Sequence, residues 1–214
     1  MACADCYALL EYTGQAAQSL DNELAHRLWV KTEVNRCAAL VLHSPHSRSG
    51  NMVYELKYCR HPEHGRWMGH MMAREMGREG FFDDIDFVIP VPLAKVRLRQ
   101  RGYNQSEEIA KGITQVTHLP IYTDIVRRNV FKESQTQKDR WRRNENVKEA
   151  FELYPSYRPD QEKEKNKSGS IADRHFLIVD DVCTTGATIC ACCQTLLKAG
   201  NMKFSVLSIG LAGE

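Results

Sequence analysis

The sequence has little net charge and no long apolar segment. Its 29 Lys and Arg residues nearly balance 27 Asp and Glu residues, which leaves a formal net charge of +2. So small an excess gives no global field for nucleic acid, and any basic binding surface must be local. No apolar segment approaches the roughly 20 residues of a membrane-spanning helix, and the N-terminus lacks the pattern of a secretory signal. We therefore expect a cytoplasmic protein with no membrane partner.

The eight cysteines are too scattered for a disulfide scaffold. Cys3 and Cys6 form a CxxC pair, which supplies two of the four ligands that a structural Zn²⁺ takes. The other ligands would have to come from cysteines and paired histidines outside a second CxxC (Cys37, Cys59, His43, His46, His61 and His64). Zinc at Cys3 and Cys6 is one expectation, and two free thiols or a site shared with a partner is the other.

Strand-like and helix-like segments alternate from Asp83 onward. The predicted strands are Ile85–Leu93, Pro120–Val126, His175–Asp181 and Phe204–Ile209. The predicted helices are one that begins at the capping box of Asn104, one over Ala187–Ala199 that places Cys190, Cys192 and Cys193 in the core, and an upstream amphipathic helix containing Trp67–Met76. Such alternation is typical of an α/β fold with a parallel sheet flanked by helices. Residues 155–174, and Arg158–Arg174 above all, have few apolar side chains and predict a flexible, exposed loop.

The most informative segment is Phe176–Thr188. It places Asp180 and Asp181 at the end of a buried strand, where ligands of open α/β sheets bind. A short loop and the start of a helix follow, and the residues there are small or carry hydroxyls (Thr184, Thr185, Gly186, Ala187 and Thr188). A helix N-terminus favours a phosphate, and glycine permits its close approach.

Two carboxylates cannot hold the phosphate itself, but they suit the hydroxyls of a diol or a divalent metal beside it. A phosphate next to a diol indicates a ribose 5-phosphate. The segment lacks both the GxxxxGK[ST] loop of nucleotide triphosphatases and the GxGxxG fingerprint of dinucleotide-binding proteins.

Two segments concentrate positive charge. In the first, Lys95, Arg97, Arg99 and Arg101 alternate with uncharged residues. If this segment is extended, all four side chains point to one side and form a local anion site. The second is Lys132–Lys148, which carries six basic residues against three acidic ones.

The segment Phe176–Thr188 resembles the phosphoribosyl-pyrophosphate (PRPP) motif of type I phosphoribosyltransferases. Further matches resemble the ComF-type, competence-associated branch of phosphoribosyltransferase-like proteins (Glu55–Tyr58, Pro90–Leu93, Arg101–Gln105, and Gln135–Lys138 with Arg140, Arg143 and Asn146). The resemblance is strong over about residues 50–214 and weak before them. It implies a type I phosphoribosyltransferase fold over residues 51–214, preceded by a small hood region over residues 1–50 that contains the remnant of a zinc finger.

The resemblance also implies roles for individual residues. Asp180 and Asp181 would be catalytic and hold the ribose hydroxyls, with Mg²⁺ chelated nearby by substrate oxygens. The loop Thr184–Thr188 would hold the 5-phosphate, and the basic residues Lys95, Arg97, Arg99 and Arg101 would hold pyrophosphate. A mobile loop over the site would contain Gln135, Lys138, Arg140 and Arg143.

Two functions remain open at this point. The first is a phosphoribosyltransferase that transfers ribose 5-phosphate from PRPP to an unidentified amine or base. The second is a non-catalytic binder of PRPP, a nucleotide or single-stranded DNA that assists DNA uptake, with a competence helicase-type protein as a further partner. A homodimer is compatible with either. The intact carboxylate pair and phosphate loop favour the enzyme, because a DNA-binding protein does not need to bind the hydroxyls of a diol.

Overall fold

A four-stranded, fully parallel sheet forms the centre of the computed structural model, which describes residues 8–129, 150–158 and 171–213. The strands of the described ranges are Cys37–His43 (β1), Phe87–Pro90 (β2), Val126–Arg128 (β3), Phe151–Leu153 (β4), His175–Cys183 (β5) and Lys203–Ala212 (β6). The main sheet has the order β1-β6-β5-β2, and β3 and β4 form a separate antiparallel pair. This sheet confirms the predicted α/β fold.

Helices cover both faces of the sheet. Those of the described ranges are Glu23–Trp29 (α1), Arg48–Tyr58 (α2), Pro62–Gly77 (α3), Lys95–Arg101 (α4), Gln105–Thr117 (α5) and Ala187–Leu196 (α6). The stripe predicted within Trp67–Met76 is confirmed, because Met68, Met72 and Met76 of α3 are buried. None of these helices is long and apolar enough to cross a membrane.

Strand β5 is buried on both faces, which explains its nearly continuous apolar sequence. Phe176 and Ile178 pack into a core cluster with α1 and α6, whereas Leu177 and Val179 pack into a second cluster with α2, α3 and α5. Helix α5 comes before β5 in the chain and helix α6 comes after it. The two helices therefore lie on opposite faces of the sheet. This arrangement opens a crevice at the carboxyl end of β5, where open α/β sheets bind ligands.

Most of the predicted elements are present, but the strand predicted at Pro120–Val126 is wrong. Only Ile121 forms an isolated parallel bridge, with Val88 at the sheet edge, and strand β3 begins at Val126. Pro120 has no N–H to donate to a ladder, and the chain bends at Asp124 before it can continue along β2. The prediction of buried Cys190, Cys192 and Cys193 in α6 is confirmed.

Strand β1 shows that the first fifty residues contribute to the main sheet. It pairs in parallel with β6 from Cys37 to His43. For these residues the structure corrects the division at residue 50, because a boundary there would separate a sheet strand from its domain. Of the loop predicted at residues 155–174, Pro155–Tyr157 form a 3-10 turn and residues 159–170 lie outside the described ranges.

Helices α3 and α5 approach each other so closely that glycine is required at the contact. A Cβ atom at Gly69 would lie 2.0 Å from the Ile109 carbonyl oxygen, and one at Gly112 would lie 1.9 Å from the Arg66 carbonyl oxygen. An ion pair between Arg66 Nε and Glu108 Oε2, 2.6 Å apart, joins the same helices. This contact fixes the position of α5, whose first turn reaches the carboxyl end of β5.

The substitution Gly112→Ala should destabilise the protein by about 1–3 kcal/mol, because the methyl group would force the two helix backbones apart. Alanine has the higher helix propensity, so the sign of the effect separates packing from propensity. The matched control is Gly77→Ala at the end of α3, where a Cβ atom would meet only Phe82 carbons at 3.9 Å. Urea unfolding measures both variants. Equal effects of the two substitutions would contradict the close approach.

Candidate active site

Asp180 and Asp181 lie next to each other near the carboxyl end of β5, and their residues are only 8% and 5% exposed. The Ser106 hydroxyl donates to Asp180 Oδ1 at 3.1 Å, and the Asp181 backbone N–H donates to the same atom at 2.9 Å. Lys57 Nζ lies 3.0 Å from Asp181 Oδ1. The other carboxylate oxygen, Asp181 Oδ2, is buried with no hydrogen-bond partner among the described residues. The pair therefore keeps a buried acceptor for a ligand.

The burial of this pair has an electrostatic cost. It raises the pKa of Asp180 well above its usual value, first through loss of hydration and second through the negative charge of Asp181. The hydrogen bond from Ser106 and the charge of Lys57 oppose this rise without cancelling it. A ligand that brings hydroxyl donors or positive charge to the pair would relieve the cost.

The turn after β5 prepares the N-terminus of α6 for an anion. Gly186 caps this helix with a φ of +71°, and a Cβ atom there would lie 2.8 Å from Leu28 Cδ2. No side chain caps the helix, so its first N–H groups remain available to a ligand. Thr184 and Thr185 are exposed beside them, and Ala187 and Thr188 form the first turn of the helix.

Arg27 of α1 fixes this turn in place. Its Nη1 donates to the Thr184 carbonyl oxygen and to the Ala212 carbonyl oxygen, at 2.6 Å in both cases. The guanidinium thus joins the phosphate-type loop to the end of β6. Arg27 could not be found from the sequence, because it lies 157 residues from Thr184 and stands in no motif.

The four basic residues predicted to point to one side do not do so. Residues Lys95–Arg101 form helix α4 rather than an extended segment, so positions two apart diverge and positions four apart share a face. Arg97 and Arg101 line the cavity of about 210 Å³ at the carboxylate pair, whereas Lys95 and Arg99 do not. Two of the four residues predicted to bind an anion therefore line this cavity, and their binding of an anion stays a prediction.

Further residues of this cavity escaped the sequence analysis. Arg128 of β3 lines it, with its guanidinium 5.3 Å from the centre of the Phe151 ring. Burial, and secondarily the charge of Arg97, lowers the pKa of Arg128 below its usual value. Lys57 lies within the segment Glu55–Tyr58 that carries the family resemblance, whereas no sequence signal marks Arg128.

A second cavity, of about 290 Å³, adjoins the first along α2 and α4. Both are lined by Lys57, Tyr58, Arg97 and Arg101. The Arg101 guanidinium lies over the Tyr58 ring at 5.7 Å and donates to Gln105 Oε1. The cleft thus has two carboxylates at its floor and an arginine-rich wall, as a polyanionic ligand that carries a diol requires.

Several predicted residues lie outside the described ranges, namely Cys3, Cys6, Gln135, Lys138, Arg140 and Arg143. Zinc at Cys3 and Cys6 and the mobile loop therefore stay predictions. Among the described residues, His61, Glu63 and His64 bring one ligand-type atom each within 4.8 Å of one another. This cluster already contains a hydrogen-bonded pair, since His61 Nδ1 and Glu63 Oε1 are 2.7 Å apart. Cys37 is buried in the sheet and Cys59 is exposed at the end of α2.

The substitution Asp180→Asn should raise the free energy of unfolding of the unliganded protein, and the gain should grow as pH rises. The unfolded chain ionises Asp180 near its ordinary pKa of 3.8, whereas the folded protein holds the proton to higher pH. Folding stability due to this group therefore falls from about pH 4 towards neutrality, and Asn escapes that fall. Thermal unfolding of the variant and the unsubstituted protein between pH 4 and pH 8 measures this difference in stability. A difference that does not change with pH would contradict the raised pKa.

Comparison with known proteins gives a consistent assignment. Residues 69–212 match the model of the phosphoribosyl transferase domain family. A "DNA utilization protein YhgH" of Shigella flexneri is 28% identical over 152 residues, which cover 70% of this chain and 61% of that protein. "Competence protein F" of Haemophilus influenzae is 31% identical over 125 residues, or 58% of this chain and 50% of that protein.

"Competence protein ComFC" of Bacillus subtilis is 28% identical over 120 residues, which cover 56% of this chain and 42% of that protein. The chain spans about three fifths of the length of the YhgH proteins that it matches. The domain match covers more than half of the chain, and it includes the carboxylate pair, the turn at Gly186 and helix α4. The chain therefore belongs to the phosphoribosyl transferase domain family, in its ComF-type branch.

Proposed function

We propose that this protein binds PRPP with Mg²⁺ and transfers its ribose 5-phosphate to an amine or a base, with release of pyrophosphate. One observation carries the proposal. The buried pair Asp180 and Asp181 stands directly before an uncapped helix N-terminus and lines one cleft together with Arg97 and Arg101. A ligand that satisfies all three parts needs a diol between two phosphate-bearing ends.

Each part of the cleft has a role in the proposed complex. Asp181 Oδ2 has no hydrogen-bond partner within the part of the chain that the structure describes and accepts one ribose hydroxyl, while Asp180 accepts the other. The first N–H groups of α6, with the hydroxyls of Thr184, Thr185 and Thr188, hold the 5-phosphate. Arg97 and Arg101 of α4 line the same cleft and hold pyrophosphate.

The same charges assist the reaction. As the bond from C1 to pyrophosphate breaks, positive charge grows on the ribose and negative charge on the leaving group. The carboxylates of Asp180 and Asp181 stabilise the first, and the guanidinium groups of Arg97 and Arg101 stabilise the second. No covalent nucleophile is needed, because the incoming nitrogen attacks C1 directly.

The carboxylate pair also fits a magnesium ion. Mg²⁺ prefers oxygen ligands and is commonly held by one or two carboxylates together with substrate oxygens. Among the described residues Asp181 Oδ2 has no hydrogen-bond partner, and a nearby cation would supply a favourable contact there. The positive charge would also lower the raised pKa of Asp180. When bound with PRPP, the ion neutralises part of the charge on the leaving pyrophosphate.

Isothermal titration of PRPP with and without Mg²⁺ tests the proposal. The double substitution Asp180→Asn and Asp181→Asn should weaken binding by on the order of 100-fold, because two charged acceptors of ribose hydroxyls are lost. The matched control is Asp83→Asn, an exposed carboxylate before β2, at the amino ends of the parallel strands. Unchanged PRPP affinity in a folded double variant would contradict the proposal.

The names of the relatives favour a second candidate, a non-catalytic accessory that binds single-stranded DNA. Proteins named for DNA utilization and for competence match more than half of this chain. The helical geometry of α4 separates the two candidates. Pyrophosphate held in the cleft depends on the face of α4 that lines it, whereas a flexible DNA strand held by general charge depends on both faces.

Two double variants with the same change of charge make this comparison. Arg97→Gln with Arg101→Gln should weaken PRPP binding at least about tenfold and leave ribose 5-phosphate binding nearly unchanged. Lys95→Gln with Arg99→Gln should leave both unchanged, because these residues do not line the cleft. Titrations with PRPP, ribose 5-phosphate and oligo-dT at several salt concentrations measure the effects. Loss of oligo-dT affinity in both variants, with PRPP binding retained, would favour the DNA-binding candidate.

A further inference from the structure

The connection between α2 and α3 is short and sharply turned. It consists of three residues, Cys59, Arg60 and His61. Arg60 has a φ of +57°, in the left-handed region that residues other than glycine rarely adopt. His61 is the N-cap residue of α3, but its side chain makes no capping hydrogen bond. The imidazole of His61 is therefore not used to cap the helix.

Four side chains with metal-ligating atoms meet at this connection. His61, Glu63 and His64 each place one ligand-type atom within 4.8 Å of the other two. Glu55 of α2 joins them, because its Oε2 lies 3.3 Å from His64 Nδ1. The rings of His61 and His64 are stacked, with their centres 5.0 Å apart and their planes at 20°. The group therefore combines two imidazoles with two carboxylates from the adjoining ends of two helices.

The separations within this group are close to those around a tetrahedral ion. With bonds of about 2.0–2.1 Å to the metal, two ligands of such an ion lie about 3.3–3.4 Å apart. His64 Nδ1 and Glu55 Oε2 already have this separation, and His61 Nδ1 and Glu63 Oε1 are hydrogen-bonded at 2.7 Å. A neutral imidazole can carry its proton on Nε2, so Nδ1 can exchange its hydrogen bond for a metal without ionisation of the ring. Entry of an ion thus requires only a small outward movement of these side chains.

The charges and the donor types of the group favour one class of ion. Two glutamates supply two negative charges and two neutral imidazoles supply none, so a divalent cation makes the group neutral. Imidazole nitrogen suits Zn²⁺, Ni²⁺ and Cu²⁺, whereas Mg²⁺ and Ca²⁺ prefer oxygen ligands alone. The group therefore differs in preference from the carboxylate pair of Asp180 and Asp181, which fits Mg²⁺.

The two carboxylates of the group are accessible to an ion. Their side chains are about half exposed, at 49% for Glu55 and 60% for Glu63. Two basic residues of the same helices have carboxylate partners elsewhere. Lys57 Nζ lies 3.0 Å from Asp181 Oδ1, and Arg66 Nε lies 2.6 Å from an oxygen of Glu108. These two cations therefore do not neutralise the glutamates of the group.

We propose that Glu55, His61, Glu63 and His64 bind one divalent ion of the zinc type, which joins the end of α2 to the start of α3. The ion has a structural role, because the protein fills all four ligand positions and leaves none for a substrate. The site contains no cysteine, so it differs from the zinc site predicted at the CxxC pair. The proposal is independent of the transferase activity proposed above.

The position of this ion has a consequence for the cleft. Lys57 and Tyr58, which precede the connection, line the cavity at the carboxylate pair, and Arg60 lines the adjoining cavity. The hydroxyl of Tyr103 donates to the Leu56 carbonyl oxygen and joins the same turn of α2 to the segment before α5. An ion at the connection therefore limits the movement of side chains that form part of the cleft wall.

Calorimetric titration of the full chain with Zn²⁺, after treatment with a chelator and in excess Mg²⁺, tests the proposal. His61→Asn with His64→Asn should weaken Zn²⁺ binding at least about 100-fold, because loss of two ligands costs more than loss of outer-shell partners. The matched control is His26→Asn with His118→Asn, which removes two other exposed histidines and should leave the affinity unchanged. Asparagine is a good N-cap residue at position 61 and tolerates the left-handed backbone at position 118, so both variants should fold.

Two further measurements locate the ion and define its role. The same titrations on the full chain carrying Cys3→Ser and Cys6→Ser should give the same difference between the two histidine variants. Excess Zn²⁺ should raise the Tm of the unsubstituted protein and of the control variant, but not that of the His61 and His64 variant. The reason is that an ion bound only by the folded state stabilises it.

A single substitution keeps the test valid if the His61 and His64 variant does not fold. Glu55→Gln should weaken Zn²⁺ binding about tenfold, because the amide is a poorer ligand than the carboxylate. Its matched control is Glu79→Gln, an exposed glutamate just after α3, which should have no effect.

Each contrary outcome overturns a stated part of the proposal. Equal Zn²⁺ affinity in the variants and their controls would overturn the site. Loss of Zn²⁺ binding on substitution of Cys3 and Cys6 would overturn the set of ligands. Binding of Zn²⁺ without a rise in Tm would overturn the structural role. None of these measurements uses PRPP, so their failure is distinguishable from failure of the proposed function.

Discussion

Two adjacent carboxylates, buried where β5 ends, are the constraint on which the rest of the site depends. Nearly complete removal of two negative charges from water is unfavourable unless neighbouring groups compensate it. Here the compensation comes from distant parts of the chain, with Lys57 on α2 and Ser106 on α5. It remains incomplete, because one oxygen of Asp181 has no partner among the described residues and burial keeps the pKa of Asp180 raised. The unliganded fold therefore leaves a buried carboxylate pair incompletely compensated, and the proposed ribose diol and cation would supply the missing partners.

The surrounding architecture holds this pair in position. The glycine contact between α3 and α5 sets the place of Ser106, since Gly69 and Gly112 permit an approach that no other residue would allow. On the opposite face, Arg27 ties the turn at Thr184 to the end of β6. The carboxylate pair and the turn at Thr184 are thus supported from opposite faces of the sheet. The basic wall on α4 has no buried residue and depends on the orientation of one short helix.

The carboxylate pair and the phosphate-type loop could be predicted from the sequence, because all of their residues fall within Phe176–Thr188. Strand, loop and helix follow one another there, so residues that are close in the sequence are also close in the fold. The basic segment Lys95–Arg101 was predicted with the wrong geometry, since the direction of each side chain depends on whether the backbone is extended or helical. The strand predicted at Pro120–Val126 is reduced to one bridge at Ile121, because Pro120 has no N–H to donate and the chain bends at Asp124.

Other parts of the site could not be found in this way. Ser106 lies 74 residues from Asp180, and Arg27 lies 157 residues from Thr184, so only the fold brings each pair together. Lys57 stood in a segment already marked by resemblance, but its role follows from the contact with Asp181. A contact between two single residues far apart in the chain produces no repeating pattern in the sequence, so sequence analysis does not detect it.

The central claim is that Asp180 and Asp181 hold the ribose of PRPP while the start of α6 holds its 5-phosphate. A crystal structure of the protein with Mg²⁺ and PRPP tests this most directly. The account predicts both ribose hydroxyls within hydrogen-bonding distance of the two carboxylates, the 5-phosphate at the loop Thr184–Thr188, and pyrophosphate beside Arg97 and Arg101. Density for PRPP elsewhere on the protein, with the carboxylate pair free of ligand, would contradict it.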